Sequence, residues 1–445
     1  MYPSMLMIKP ASAECNLHCS YCFYHRPWDP YRQDKARRMS LETLETIVRK
    51  QFQAADSAPL SFMFQGGEPL LAGRNFFAHA GQLVNRYRSP GQPVTLALQT
   101  NGVLIDGRMA HTLAEHNYLV GVSLDGPAHL HNIYRRKHQS VLRGIRTLQV
   151  HNLQPNILTV VSAANVNHAR QVYQYLKDEI GARHLQFIPC VELRDGRPIP
   201  ESVAPEEYTQ FLLALFHAWR RDGYGSVSIR LFDSITNRLY NGRSGSCTLE
   251  PTCARSLVVE HNGEAYPCDF YVAQEQRLGS YTTHSPPELM ASAARVRLEQ
   301  EKGQWPPVCD DCPYLALCHG GCPKYRRINL ALHGRYHSYF CPAYRALFEQ
   351  LVPVSSQFVA QVMWREALPL ERTLLFGLAE LGQDGTTLPA IQQWLAECEQ
   401  DVHPDQVRDA LSALKARQVL IQAAGQVAFR NTVLPDWIKH HVLQK

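Results

Sequence analysis

The sequence predicts an α/β fold built on a parallel sheet, and three observations lead there. Six short apolar runs recur within the first 190 residues, at Met5–Lys9, Leu60–Phe64, Val94–Leu98, Leu119–Ser123, Asn156–Val161 and His184–Ile188. Helix-like stretches such as Leu41–Ala54 and Val172–Glu179 alternate with them, which is the pattern of βα units. Each run ends in a polar or glycine-rich loop, and parallel sheets carry their ligand loops at the carboxyl ends of the strands.

The totals bound the rest. At 445 residues the chain has room for two or three domains. Its composition, 45% hydrophobic and 19% charged, is that of a water-soluble globular protein, and a formal net charge of +5 gives no argument for nucleic acid. No apolar run approaches the roughly 18 residues of a membrane span. The start, MYPSMLMIKPAS, has no basic segment followed by an apolar core and cleavage site. Thirteen cysteines, an odd number with clustered Cys-x2-Cys spacings, suggest metal ligation before disulfides.

In chain order, Met5–Lys9 leads into Cys15-Asn-Leu-His-Cys19-Ser-Tyr-Cys22. Three thiolates at this spacing can hold three irons of a [4Fe–4S] cluster, whose full ligation by protein needs four. The fourth iron is then open to a small molecule. A structural zinc site with four closed ligands is the alternative, with His18 and His25 at hand to complete it. Leu60–Phe64 leads into Gln65-Gly66-Gly67-Glu68-Pro69. Glycines there let backbone groups approach a ligand closely, although Gly-Gly after a strand is also an ordinary turn. The later runs lead into Gln99-Thr100-Asn101-Gly102, Asp125-Gly126-Pro127, Ser162 and Pro189-Cys190. From Cys247 onward eight cysteines fall within 95 residues, as Cys247-x5-Cys253-x9-Gly263-x4-Cys268, Cys309-x2-Cys312-x5-Cys318-x3-Cys322 and Cys341. Eight thiolates close two cubane clusters or two zinc ribbons, and spacing leaves both open.

The Cys-x3-Cys-x2-Cys loop followed by Gly66-Gly67-Glu68 resembles the radical S-adenosylmethionine (SAM) enzymes, and the later cysteines resemble their SPASM extension. The phrases Ile8-Lys9-Pro10-Ala11-Ser12, Cys22-Phe23-Tyr24-His25, Phe64-Gln65-Gly66-Gly67-Glu68-Pro69, Leu98-Gln99-Thr100-Asn101-Gly102, Leu119-Val120-Gly121-Val122-Ser123-Leu124-Asp125-Gly126-Pro127 and Tyr266-Pro267-Cys268-Asp269-Phe270-Tyr271 together look like the anaerobic sulfatase-maturating enzymes. The resemblance implies a partial (β/α)6, TIM-like radical SAM barrel over residues 1–230 and a SPASM domain over 231–350. It implies three [4Fe–4S] clusters. Cys15, Cys19 and Cys22 hold the one that binds SAM; Cys247, Cys253, Cys268 and Cys322 close the first auxiliary cluster; Cys309, Cys312, Cys318 and Cys341 close the second. Cys190 and Cys398 are left over and read as buried thiols. For SAM, the resemblance implies Gly66, Gly67 and Glu68 on the amino group, Ser123 and Asp125 on ribose or carboxylate, Arg135 on the carboxylate and Leu185 on adenine, with Tyr21 and Phe23 packing on cluster or adenine.

The activity implied is oxidation of a Cys or Ser of a sulfatase, unfolded or nascent, to Cα-formylglycine. A 5′-deoxyadenosyl radical takes a β-hydrogen, Asp269 is the catalytic base, and Tyr24 and Gln65 shape the peptide pocket. An electron donor such as flavodoxin or ferredoxin and a reducing, anaerobic cytoplasm are expected. A maturase that cross-links a ribosomally made peptide is the neighbouring alternative. A zinc-dependent DNA-binding regulator is the alternative outside enzymes.

Beyond Cys341 the resemblance fades. Tyr344–Leu351 and Val354–Trp364 read as helices broken or kinked at Pro353, and Pro369 reads as a linker. Three helix-like stretches follow, Glu371–Leu381, Leu388–Glu399 and Pro404–Arg417, then a hairpin of Val419–Ile421 and Gln426–Phe429 around Gly425. This predicts a winged-helix-like domain within 351–445. Residues 370–445 hold seven Lys and Arg against nine Asp and Glu, which argues against a DNA-binding face.

Overall fold

The computed structural model describes residues 2–24, 30, 31, 33, 34, 37–223, 225–382, 385–398, 400, 402–417, 419–423, 426–430 and 433–442. His25 and Gly425 lie outside the described residues. The chain divides into two compact units, residues 1–231 with 246–347, and residues 232–245 with 348–445.

The first unit is organised on one ten-stranded sheet. Its strands are β1 (Met5–Ile8), β2 (Leu60–Phe64), β3 (Val94–Thr100), β4 (Leu119–Ser123), β5 (Asn156–Val161), β6 (His184–Pro189), β7 (Ser228–Ile229), β8 (Ser256–Val259), β9 (Glu264–Tyr266) and β10 (Gly279–Ser280). The order across the sheet is β10-β9-β8-β1-β2-β3-β4-β5-β6-β7. Strands β1 to β6 pair in sequence order and all in parallel, with β8 and β7 parallel at either side. This is the expected run of βα units, and it brings the carboxyl ends of six strands to one edge. Strands β9 and β10 turn back antiparallel. Strands β7 to β10 are two to four residues long, too short to leave a periodic signal in the sequence.

The helices between strands form for local reasons. Leu41–Ala55 starts at Ser40, whose hydroxyl accepts from Thr43 N at 3.0 Å, and it buries Leu44, Ile47, Val48 and Phe52 on one stripe. The expected helix Val172–Glu179 is α-helical over Ala169–Gln174 and π-helical over Tyr175–Glu179. The wider turn keeps both Tyr175 and Leu176 buried.

In the second unit, of the break or kink expected at Pro353, the break is absent: Tyr344–Leu351 and Val354–Trp364 lie in one helix, Cys341–Glu366, with Pro353 inside it. Buried Leu351 before the proline and Val359, Ala360 and Met363 after it anchor both sides, so one lost backbone donor does not end the helix. Pro369 is the first residue of helix Pro369–Leu381 instead of a linker, a position where its missing N–H costs nothing. Strand β11 (Thr386–Thr387) and helices Leu388–Glu397 and Pro404–Ala416 follow, then strands β12 (Leu420–Ala423) and β13 (Gln426–Phe429), in sheet order β11-β13-β12, and a final helix, Val433–His441. Leu374, Leu378, Ile391, Leu395, Val407, Leu411, Phe429 and Ile438 form the core of this unit. Cys398, expected to be buried, is exposed. It caps the end of Leu388–Glu397, past the stripe of Ile391 and Leu395 that faces the core. Among the described residues no helix is long and apolar enough to cross a membrane.

Candidate active site and metal centres

The cysteine loop leaves β1 at the sheet edge where β2, β3 and β4 also end. Leu17, Cys19 and Tyr21 are buried with Cys190 and Ile199, and Cys15, Cys22, Val103, Tyr134 and Val160 pack against them. Burial raises the thiol pKa of Cys15, Cys19 and Cys22, the last to about 12. Cys19 is raised further by Cys15, and Cys22 by Cys19 and Cys15. Three thiols held close in an apolar pocket are costly to ionise by themselves, and a bound cationic group reverses that cost.

The glycine loop after β2 packs directly on the cysteine loop. Gly67 N donates to Ser12 O at 2.8 Å and Glu68 N to Glu14 O at 2.7 Å. A Cβ on Gly66, whose φ is +127°, would lie 2.6 Å from Ser12 O, and one on Gly67 would overlap the Glu14 carbonyl. Gly67→Ala is therefore expected to destabilise the protein by about 1–3 kcal/mol through overpacking, read as a lower denaturation midpoint with iron lost first from the N-terminal loop. Glu68 is fully buried. Its carboxylate accepts from Leu70 N (3.0 Å), Thr100 Oγ1 (2.8 Å) and Asn101 N (2.7 Å), tying the ends of β2 and β3 together. Burial still pushes its pKa up to about 7.

Tyr21, Asp125 and Arg135 meet beside Cys19. Tyr21 Oη donates to Asp125 Oδ2 at 2.5 Å, Arg135 Nε donates to the same oxygen at 3.2 Å, and the guanidinium lies over the Tyr21 ring at 5.5 Å. Ser123, at the end of β4, accepts from Gln99 Nε2 at 3.1 Å. Leu185 is not brought to this group. It is the second residue of β6, packed in register between Ile157 and Ile229 at the amino end of the strands. Phe23 packs on Tyr24 and Phe270 in tilted geometry, with centroids 4.2 and 5.4 Å away.

Asp269 opens a short helical turn directly after Cys268. It draws together Tyr24 and Gln65, the residues expected to shape the peptide pocket, and Lys9, which sequence reasoning did not single out. Tyr24 Oη donates to Oδ2 at 2.5 Å and Gln65 Nε2 to the same oxygen at 3.2 Å. Lys9 Nζ lies 2.7 Å from Oδ1 and 3.3 Å from Glu260 Oε1. Lys9, Glu260 and Asp269 are all buried. Burial works against the Lys9 charge, but Asp269 and Glu260 outweigh it and raise its pKa. Glu260 is likewise opposed by burial yet lowered by Lys9. Lys9 and Glu260 share a legible signal: each is a charge directly after an apolar strand run, Met5–Ile8 or Ser256–Val259.

The later cysteines fall into two neighbourhoods. Cys247 and Cys322 raise the thiol pKa values of Cys253 and Cys268, and Cys247 raises that of Cys322. Cys312 and Cys341 raise Cys309 and Cys318, and Cys312 raises Cys341. In each case burial is the larger cause. All thirteen cysteines are free thiols. Among the described residues no three His, Cys, Asp or Glu side chains converge on a single metal ion.

Comparison with known proteins agrees with this geometry. Residues 10–175 match the Radical SAM superfamily and residues 247–313 the iron-sulfur cluster-binding SPASM domain. The cysteine-type anaerobic sulfatase-maturating enzyme of Clostridium perfringens (strain 13) is 35% identical, over 79% of this chain and 97% of its own. The serine-type enzyme of Bacteroides thetaiotaomicron is 30% identical, over 82% and 93%. The solved structure of native anSMEcpe with bound AdoMet and Cp18Cys peptide is 34% identical, with a TM-score of 0.73 over 80% of this chain and 99% of that one. The chain belongs to the anaerobic sulfatase-maturating enzymes, radical SAM proteins with a SPASM domain.

Proposed function

We propose that this chain oxidises a Cys or Ser side chain of a sulfatase polypeptide, unfolded or nascent, to Cα-formylglycine. The observation that carries the reading is the buried Asp269 carboxylate, held by Lys9, Tyr24 and Gln65 between the N-terminal cysteine loop and Cys268. The three thiol neighbourhoods are the ligand sets of three [4Fe–4S] clusters: Cys15, Cys19 and Cys22; Cys247, Cys253, Cys268 and Cys322; Cys309, Cys312, Cys318 and Cys341. When bound, these groups and SAM supply a 5′-deoxyadenosyl radical that takes a hydrogen atom from the substrate β-carbon, and an acceptor for the electron released afterwards.

The chain's own residues do the rest. The loop of Gly66, Gly67 and Glu68 lies against the cysteine loop on the side of the SAM amino group, and Ser123 at the end of β4, Asp125 just after it and Arg135 at the end of helix Ala128–Tyr134 serve its ribose and carboxylate. Tyr24 and Gln65 orient Asp269 and wall the pocket for the reacting side chain. Asp269 takes the proton from the thiol sulfur or hydroxyl oxygen attached to the carbon that has lost hydrogen, which requires hydrogen-bond reach to that group. A Cys product is a thioaldehyde that water hydrolyses; a Ser product is already the aldehyde. The barrel (1–230) and the cluster domain (231–350) divide these tasks, with the C-terminal region (351–445) outside them. A flavodoxin- or ferredoxin-type donor in a reducing cytoplasm supplies the electron that starts the reaction.

The test is mass spectrometry of anaerobic reactions of reconstituted protein, SAM and a reductant with peptides carrying Cys-x-Pro-x-Arg or Ser-x-Pro-x-Arg. An aldehyde in either peptide supports the reading, and the faster peptide names the preferred side chain. SAM cleavage with both peptides unchanged overturns the substrate assignment.

A further inference from the structure

Two buried cations hold the loop between the later cysteine sets, and the chemistry above does not use them. Cys318-His319-Gly320-Gly321-Cys322 carries one thiol of each set. Its three central residues all take left-handed backbone, with φ of 48°, 68° and 73°, a run that two glycines make accessible. The turned carbonyls meet Lys302, on helix Ala293–Gly303, and Arg326, on helix Pro323–His333. Lys302 Nζ donates to Gly321 O (2.8 Å), Thr248 O (3.2 Å) and His319 O (3.3 Å). Arg326 donates to Gly320 O through Nε at 2.8 Å, and through Nη2 to His319 O at 3.0 Å and Gly321 O at 3.2 Å. A Cβ on Gly320 would lie 2.7 Å from Arg326 Nη2, so the guanidinium fills the space a side chain would need.

Both cations are 0% exposed. Three carbonyl acceptors use all three N–H groups of an ammonium. Those acceptors are neutral, however, and a buried charge needs a counter-charge. Cluster-bound thiolates of the two later sets would supply it. Burial first, and then Arg326, lower the Lys302 pKa, while Cys322, Cys318 and Cys253 act the other way. The carbonyls that Lys302 binds belong to residues directly beside Cys247, Cys318 and Cys322, so its contacts span both sets.

We propose that Lys302, braced by Arg326, is a potential-setting clamp shared by the two auxiliary clusters. A cluster closed by four thiolates is an anion that becomes more negative on reduction, so a buried cation beside it favours the reduced form. When the substrate radical loses a proton to Asp269 and one electron to become a C=S or C=O group, that electron reduces an oxidised auxiliary cluster by one. A cation common to both clusters eases this reduction and keeps onward transfer near level. The inference rests on the assignment of two auxiliary clusters, but its test needs no peptide, so failure here is separable from failure of the formylglycine reading.

The experiment is a potentiometric titration of the anaerobically reconstituted full chain, followed by EPR, for wild type, Lys302→Met and Lys302→Gln, with iron and sulfide content measured alongside. Both variants are expected to lower the potentials of both auxiliary clusters, with the reduced fraction at a fixed potential falling about tenfold, or about 59 mV for a one-electron couple. The signal of the N-terminal cluster stays unchanged. Joint loss of both auxiliary clusters in both variants, with the N-terminal one retained, makes Lys302 a structural brace of the loop and overturns the potential-setting role. Unchanged potentials, or a change or loss confined to one auxiliary cluster, overturns it. Gln keeps a donor in place if Met prevents folding.

Discussion

Asp269→Ala is expected to lower formylglycine formation by about 10²–10⁴-fold, the usual worth of a general base, while cleavage of SAM to 5′-deoxyadenosine continues. Tyr21, Asp125 and Arg135, proposed here to face SAM, form a separate knot beside Cys19, so removing Asp269 leaves that knot intact. Asp269→Asn separates base from scaffold. The amide keeps an oxygen for Lys9 or Tyr24 to contact but takes up no proton. Equal losses in Ala and Asn assign proton removal to the carboxylate. A near-normal rate in Asn reduces Asp269 to a bracket for the loop after Cys268. Liquid chromatography of 5′-deoxyadenosine beside peptide mass spectrometry reads both halves at once.

Lys9→Met is expected to destabilise the folded protein by about 3–5 kcal/mol, because it strands the buried Asp269 and Glu260 carboxylates without their counter-charge. Lys9 has a raised pKa in the fold and Glu260 a lowered one. The Lys9 contribution is therefore full below its unfolded value and lost as pH rises through the raised folded value. The Glu260 contribution is full above its unfolded value and lost as pH falls through the lowered folded value. Both are complete near neutral pH. The deficit of the variant is largest there and shrinks on acidification, as the stranded Glu260 carboxylate protonates. Anaerobic guanidinium unfolding followed by tryptophan fluorescence, at several pH values, measures this. A deficit that does not change with pH assigns the loss to packing of the lysine stem alone.

The six core strands were legible because each is a short apolar run between a helix and a polar loop, and because period-2 burial in β2, β5 and β6 repeats that pattern in three dimensions. Asp269, Tyr24 and Gln65 were legible through family resemblance, since an aspartate beside a cysteine is otherwise an ordinary loop cap. Their partner Lys9 sits in the same phrases but reads as the polar end of a strand. Only the fold of β8 onto β1 brings Glu260 to it. Leu185 shows the opposite limit: an apolar residue in the right strand can lie at the wrong end of it. Pro353 and Cys398 went astray because local rules, proline as breaker and cysteine as buried thiol, yield to packing on either side and to position at a helix end. The shared position of Lys302 was hidden for a related reason, since its three acceptors are backbone carbonyls of residues 248, 319 and 321, which carry no side-chain signal.

The central claim is that this site removes a hydrogen atom from the β-carbon of one Cys or Ser in a peptide. The most direct measurement uses a Cys-x-Pro-x-Arg peptide with deuterium at both β-positions, incubated with reconstituted enzyme, SAM and reductant, followed by mass analysis of the 5′-deoxyadenosine. The account predicts one deuterium in that product for each aldehyde formed. Peptide oxidation with unlabelled 5′-deoxyadenosine, or label carried over only from an α-deuterated peptide, would contradict it.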